Sequence, residues 1–164
     1  AKEIINQMPK YLLPLCSAEQ SFTSGTPNTL NTGKILNVFR NDGDIKQPCR
    51  QIDSSYKGRV LDSDDMDYAS VTDPVYYIEN NTIDVLPSDG AVTYSEVQHP
   101  SVSHASSIIG AFPDEAEYLV VIYASIKSVE ALYSDSEDIE LYIPIINQLK
   151  EDYKVGLSRL TKGG

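Results

Sequence analysis

The stretch from Tyr118 to Tyr133 constrains the fold more than any other, because as a helix it would be apolar almost all the way round. A helix with so little polar surface must be covered by partners on several sides. Pro113 suits the first helical position, and the acids Asp114 and Glu115 suit the positive end of the helix dipole. The sequence therefore predicts a long helix that needs more cover than a small hairpin supplies.

Two other segments carry apolar residues at helical spacing. Residues 139–160 show the three-and-four spacing of a second long helix, which Pro144 is expected to kink. Residues 5–15 show the same spacing, interrupted by Pro9 and Pro14, and this predicts two short helical pieces or a kinked helix. We expect the N-terminal helix to pack on the C-terminal pair.

The middle of the chain has a different pattern, rich in glycine, proline and Asn-Asp turns. Residues 35–40 alternate and end at Asn41-Asp42-Gly43, which is a strong hairpin signal. The β-branched and aromatic runs at 75–79 and 82–86 predict further short strands. The predicted fold class is therefore α+β. A helical bundle of residues 1–24 and 112–164, formed by the N-terminal helix and a C-terminal helical hairpin, carries an inserted antiparallel β module at 25–111.

Composition and charge narrow the function classes. The chain has 164 residues and a net charge of −11, which argues against a surface that binds nucleic acid phosphates. The sequence has no run of 18 apolar residues and no secretory signal at its start, so we expect neither a membrane span nor secretion. Cys16 and Cys49 could form one bridge, but two free thiols are the favoured interpretation.

Catalytic and metal motifs are weak. His99 and His104 are the two histidines, and His104 could join Ser103 or Ser106 in a hydrolytic arrangement. The Gly-x-Ser-x-Gly turn and a glycine-rich oxyanion loop are both missing, so the sequence predicts no enzyme.

Three other patterns favour ordinary structural explanations. The acid run Asp62–Asp67 lacks the glycine and glutamate positions of a calcium loop and is interpreted as a solvated loop. Gly33-Lys34 lacks the rest of a phosphate loop, and Asn80-Asn81-Thr82 matches a glycosylation motif that is common by chance. We expect no cofactor and no metal.

Several strings resemble the small head-to-tail connector proteins, or neck adaptors, of marine tailed bacteriophages. The most specific of them is Phe112–Ala124, which reads FPDEAEYLVVIYA. The weaker strings are Asn6–Lys10, Val38–Asn41, Gly58–Val60 and Ala69–Ile78. The order of a β insertion followed by two long helices is also similar to the tail adaptors of short-tailed phages.

The resemblance implies a virion protein without enzymatic activity. Such proteins form homo-oligomeric rings, commonly of about twelve copies, between the portal protein and the tail or nozzle proteins. DNA passes through the lumen without specific binding, and no membrane is involved. The implied location is the virion neck, with assembly in the host cytoplasm.

On this interpretation the apolar helices supply the oligomer or core interface and the last turn of the chain contacts the portal. The interface candidates are Leu119, Ile122, Tyr123, Ile126, Ile139, Ile143, Ile146 and Leu157; the portal-contact candidates are Arg159, Leu160 and Lys162. Two alternatives stay open. One is a different virion module, on the tail or the capsid surface, and the other is a small hydrolase or sugar-binding protein.

Overall fold

The chain divides into two compact units. A computed structural model describes residues 1–43, 45–102, 109–134 and 139–162. The helical unit joins Ala1–Cys16 to His99–Gly164, and the β unit is Ser17–Gln98. The elements below are those of the described residues.

Short helices belong to both units, and the long helices belong to the helical unit. The first helix ends before Pro9, and Pro14 lies in a 3-10 turn, as the two prolines predict. The α-helices are α1 Lys2–Gln7, α2 Lys57–Val60, α3 Asp114–Ser134 and α4 Ile139–Lys162, with 3-10 turns at Leu13–Cys16 and Ser54–Tyr56.

The β unit contains two four-stranded sheets. Sheet A has the order β1-β8-β3-β4 and is antiparallel throughout; sheet B has the order β2-β7-β6-β5 and ends in a parallel pair, β5 with β6. The strands are β1 Ser17–Thr23, β2 Asn28–Thr29, β3 Ile35–Asp42, β4 Ile45–Pro48, β5 Arg50–Gln51, β6 Val75–Glu79, β7 Thr82–Leu86 and β8 Ala91–Val97.

One apolar cluster is shared by the two sheets. Val38 in β3 and Val92 in β8 come from sheet A, whereas Ile83 and Val85 come from β7 of sheet B. Side chains two positions apart on a strand point to the same face, so Ile83 and Val85 share one face of β7. There they pack in one cluster with Val38 and Val92. The buried ring of Tyr94 fills the same cluster and meets Phe22 edge-on at 5.8 Å.

Sheet B is also covered on its other face. Val75 and Tyr77 of β6 pack there with Leu86 of β7. The cover comes from the segment that follows β5, through Val60 of α2 and Ala69. The central strands of sheet B are therefore buried on both sides.

Buried carboxylates fix two loops of the β unit. Glu96 is completely buried, and its Oε1 accepts hydrogen bonds from the amides of Thr32 (2.6 Å) and Gly33 (3.0 Å). Asp84 accepts from the Gly25 amide (2.9 Å) and from the Tyr77 hydroxyl (3.0 Å). A buried polar group is stable when it is hydrogen-bonded in this way.

The prediction of a helical bundle as the body of the fold is wrong. The structure is α+β with two four-stranded sheets, and the strand-rich β unit holds the two apolar clusters described above. The predicted antiparallel module is a mixed one, because β5 and β6 run parallel. Residues 17–23, which the prediction placed in the helical segment, form a strand whose Ala18, Gln20 and Phe22 alternate with exposed residues.

The two long helices approach closely at Gly156 of α4. A Cβ at this position would clash with Leu119 Cδ2 of α3 and would lie 2.7 Å from the Tyr118 hydroxyl oxygen. Leu119 is fully buried and so has little room to move. Glycine at 156 therefore allows α3 and α4 to pack together here.

Gly156→Ala should destabilise the chain. The clash with buried Leu119 is expected to cost about 1–3 kcal/mol, part of which the better helix propensity of alanine offsets. Urea unfolding followed by circular dichroism measures the change. Gly58→Ala in α2 is the matched control, since a Cβ there meets nothing within 4 Å. Equal stability of the two variants would contradict the close approach.

Candidate assembly surface

The start of α3 is fixed by its first turn. The Ala116 amide donates to the Pro113 carbonyl (2.9 Å), and the Glu117 carboxylate accepts from the Ile109 amide (2.9 Å). Asp114 and Glu115 are exposed in the same turn, where the helix dipole favours negative charge. The proline and acids that predicted this helix therefore lie at its beginning.

One face of α3 packs inside the helical unit. Ala116, Leu119 and Ile126 are buried, and Tyr123 meets Tyr153 of α4 with ring centroids 5.8 Å apart. Along one edge of this contact, Glu130 of α3 bridges Lys127 (2.9 Å) and Lys150 of α4 (3.0 Å). Hydrogen bonds from these two lysines lower the pKa of Glu130.

From Tyr118 onward, the opposite face of α3 is largely exposed and carries no charge. Val121 is 65% exposed and Leu132 is 59% exposed. Steps of three and four residues join them through small and aromatic neighbours on the same face. The α3 stripe, as we name it, consists of Tyr118, Val121, Ala124, Ser125, Ser128, Ala131 and Leu132.

The outer face of α4 is different. Lys150, Glu151, Asp152 and Lys154 are all exposed there, so α4 has the polar outer face of an ordinary surface helix. Its exposed apolar residues Ile143 and Ile145 point to different sides of the helix, because a spacing of two residues turns them about 160° apart. The contrast marks α3 as the helix with an uncovered face.

The predicted interface residues are divided between the interior and the surface. Ile143 is 45% exposed, and Arg159 is exposed in the last turn of α4. The side chains of Ile139 and Lys162 lie outside the described residues. Leu119, Ile126, Ile146 and Leu160 are buried within the chain, and Ile122, Tyr123 and Leu157 are partly buried.

Sequence reasoning missed Val121 and Leu132, which are the most exposed apolar residues of α3. The signal that could have found them is the position of charges. After Glu117, α3 carries two charged residues, Lys127 and Glu130, and neither belongs to the α3 stripe. The face opposite Glu130 is therefore uncharged from Tyr118 onward, and only Tyr118 of the α3 stripe is described beside Gly156 of α4.

The residues of the candidate hydrolytic arrangement lie mostly outside the part of the chain that the structure describes. His99 is partly buried, whereas His104, Ser103 and Ser106 lie outside the described residues. The described residues contain no group of three or more His, Cys, Asp or Glu side chains arranged to hold a metal ion.

The acid run at 62–67 has its own counter-charge. Arg59 reaches Asp65 (2.9 Å) and Asp67 (3.1 Å), and the hydrogen bond from Arg59 is the main reason that the pKa of Asp65 is lowered. All three side chains are at least partly exposed, so the pairs contribute little to stability. This loop is held together by its own side chains.

The prediction of two free thiols is confirmed. Cys16 is buried beside Met8, with the thiol 3.6 Å from the thioether sulfur. Burial raises the pKa of Cys49 to about 11, against a smaller opposing effect of the Arg40 amide and charge. Since the thiolate is the reactive form, Cys49 is a poor nucleophile near neutral pH.

Cys49 should therefore resist alkylation in the folded chain. Its pKa near 11, against 9.0 when unperturbed, lowers the thiolate fraction at pH 8 by about 100-fold. Iodoacetamide labelling at pH 8, mapped by mass spectrometry, should be slow when the chain is folded and fast in urea. The rate should rise with pH up to about 11. Equal rates in the folded and unfolded states would contradict the assigned burial.

Two comparisons of the sequence with known proteins give no match. No protein-family model matches this sequence, and no curated protein matches it significantly. None of the helices in the described part of the chain combines the length and the apolar composition that crossing a bilayer requires.

A charge in the α3 stripe should separate assembly from folding. Val121→Lys places a cation on an exposed face, so the free energy of unfolding should change by less than about 0.5 kcal/mol. Burying that lysine against a neighbour would cost several kcal/mol, so oligomers should be lost. Sedimentation velocity measures the oligomeric state.

Two controls accompany this variant. Val155→Lys makes the same change at an exposed site on α4 outside the α3 stripe and should leave assembly intact. Ile146→Asp buries a charge and should unfold the chain, at a cost of about 3–5 kcal/mol. Assembly that survives Val121→Lys would show that the α3 stripe is not an interface.

Proposed function

We propose that this chain is a structural subunit of a tailed-bacteriophage virion, in which copies form a head-to-tail connector ring between the portal protein and the tail proteins. In this role it is a neck adaptor without enzymatic activity or cofactor. Its place is the virion neck, and its assembly takes place in the host cytoplasm.

The α3 stripe is the observation that carries the proposal. A single copy exposes it, and an uncharged exposed helix face is typical of a surface that a neighbour covers. Tyr118, Val121 and Ala124 of the stripe lie in the string Phe112–Ala124, which is also the string that most resembles the connector proteins. The exposed stripe and the string that carries the resemblance therefore overlap on the same turns of α3.

The net charge supports a role around a DNA channel. Each copy carries −11, so a ring of copies repels phosphate over most of its surface. A channel that binds DNA tightly would oppose its passage, because each neutralised phosphate adds affinity. A strongly acidic ring is suited to letting DNA pass without specific contacts.

The last turn of α4 is the proposed portal contact. Arg159 is exposed there and can reach a partner. Leu160 is buried, and its carbonyl accepts a hydrogen bond from the Tyr11 hydroxyl (2.6 Å), so it contributes to the chain's own packing. Arg159 is therefore the stronger of the two described candidates.

Electron microscopy tests the proposal directly. The purified chain, alone and mixed with the portal protein, should give closed rings in negative stain, and native mass spectrometry should give their copy number. Density for the chain in the virion should lie at the neck. Density on the capsid or tail surface would favour the alternative virion module, and a chain that stays monomeric with and without the portal would contradict the ring.

A further inference from the structure

The two edges of sheet A differ from those of sheet B. The edge strands of sheet B, β2 and β5, have two residues each and offer little backbone for pairing. In sheet A, β1 has seven residues in unbroken register with β8, and β4 has four. An edge strand presents a row of N–H and C=O groups to which another strand can pair.

The hydrogen bonds show which residues of β1 face outward. The Ser24 amide donates to the Gly90 carbonyl (2.8 Å), so Ser24 and every second residue before it bond to β8. The residues between them, Glu19 and Ser21 among these, direct their backbone groups away from the sheet. Both side chains are exposed, and they point to the face opposite the apolar cluster.

The same reasoning identifies Lys46 on β4. The Cys49 amide donates to the Val38 carbonyl (2.9 Å), so Cys49 and Gln47 face β3 and Lys46 faces outward. Lys46 is exposed and pairs with Asn41, which places its side chain on the face opposite Val38. Lys46 and Glu19 therefore occupy the same face of sheet A, at its two opposite edges.

We propose that β1 of one copy pairs antiparallel with β4 of a second copy, with Glu19 opposite Lys46 of that second copy. The inference rests on the proposed ring, for which it names a contact. Within the part of the chain that the structure describes, neither Glu19 nor Lys46 makes an ion pair. Their opposite charges complement each other across the two edges.

The strand directions agree with this pairing. Strand direction alternates across sheet A, so β1 and β4 run in opposite directions. Through Asn41 and Ala91, Lys46 lies level with Thr23, four residues along β1 from Glu19. Rotation about an axis inclined to the strands supplies this stagger, as strand tilt does in a closed barrel, and keeps the outer face outside. A neighbour's β4 then arrives antiparallel to β1, and such a heterologous contact closes into a ring when the rotation allows.

The chemistry of the edges favours this occupant over a second β1. If a two-fold axis perpendicular to the sheet related two β1 strands, the two Glu19 carboxylates would lie on the same face. Like charges on adjacent strands repel. Lys46 and Pro48 protect β4 from unselective pairing, because a lysine needs an opposite charge and a proline cannot donate. A strand that carries Glu19 opposite Lys46 is therefore favoured over a strand without an opposite charge.

Charge reversal tests the pairing. Glu19→Lys and Lys46→Glu should each weaken association of the full-length chain by about tenfold or more, through like-charge contact. The double variant E19K/K46E restores opposite charges and should return association to within about threefold of the original. Sedimentation equilibrium gives the association constants. Glu79→Lys, an exposed change on β6 of equal charge, is the matched control.

A cross-link provides a second measurement. Glu19 and Lys46 of one copy lie three strand spacings apart across sheet A, about 14 Å, and are also offset by four residues along the strands. This is too far for a disulfide within the copy. E19C/K46C should therefore form a ladder of covalent oligomers on oxidation, and E79C/K46C should not.

The outcomes separate this inference from the ring itself. Oligomers that are unchanged in both single variants, together with no cross-linked ladder, would overturn the edge pairing and leave the ring standing on the α3 stripe. Single variants weakened without rescue in the double variant would also overturn it. An original chain that stays monomeric at every concentration and with the portal protein would overturn the ring and the pairing together.

Discussion

The two-sided burial of sheet B is the constraint on which the β unit depends. One face of β7 meets the cluster shared with sheet A, and the other face meets the segment that follows β5. A strand buried on both sides needs apolar residues at consecutive positions, and Ile83, Val85 and Leu86 supply them around a single carboxylate, Asp84. Asp84 is tolerated because amide and hydroxyl donors satisfy it.

Buried charge fixes the rest of the β unit at a few points. Arg40 is buried against Gly90, where a Cβ would lie 2.5 Å from the guanidinium carbon, and its Nε and Nη2 donate to the carbonyls of Pro87 and Ser88. Glu96 holds the loop at Thr32 and Gly33 in the same manner. These buried charges hold loops of the β unit in place. The surface features that we propose for assembly are the α3 stripe and the edges of sheet A.

The sequence predicted where several helices and strands lie, but not which of them form the body of the fold. Pro113 and the acids after it marked the start of α3, and Asn41-Asp42-Gly43 marked the β3–β4 hairpin, because caps and turns depend on local chemistry. Strand β1 was missed because its inward positions are Ala18, Gln20 and Phe22, a weak apolar alternation that pairing with β8 stabilises. The parallel β5–β6 pair depends on contacts distant in sequence, which no local pattern reports.

The site was predicted in part for the same reason. Apolar character pointed to α3 as a whole, and the choice of Leu119 and Ile126 followed hydrophobicity, which is greatest where the helix packs on its own chain. Which face stays uncovered depends on where α4 lies, and Gly156 sets that position through its approach to Leu119. The candidate surface therefore needed the packing of two helices before Val121 could be recognised.

The pairing of Ser17 with Val97 has a consequence for how such a chain can vary. Ser17 begins β1 and Val97 ends β8, and the two residues form one pair of the ladder. The chain therefore enters and leaves the β unit at adjacent points of one sheet. A domain whose termini are neighbours can be exchanged as a cassette, with a short linker closing the gap. Related chains could then differ in the β unit while they keep the same helical unit.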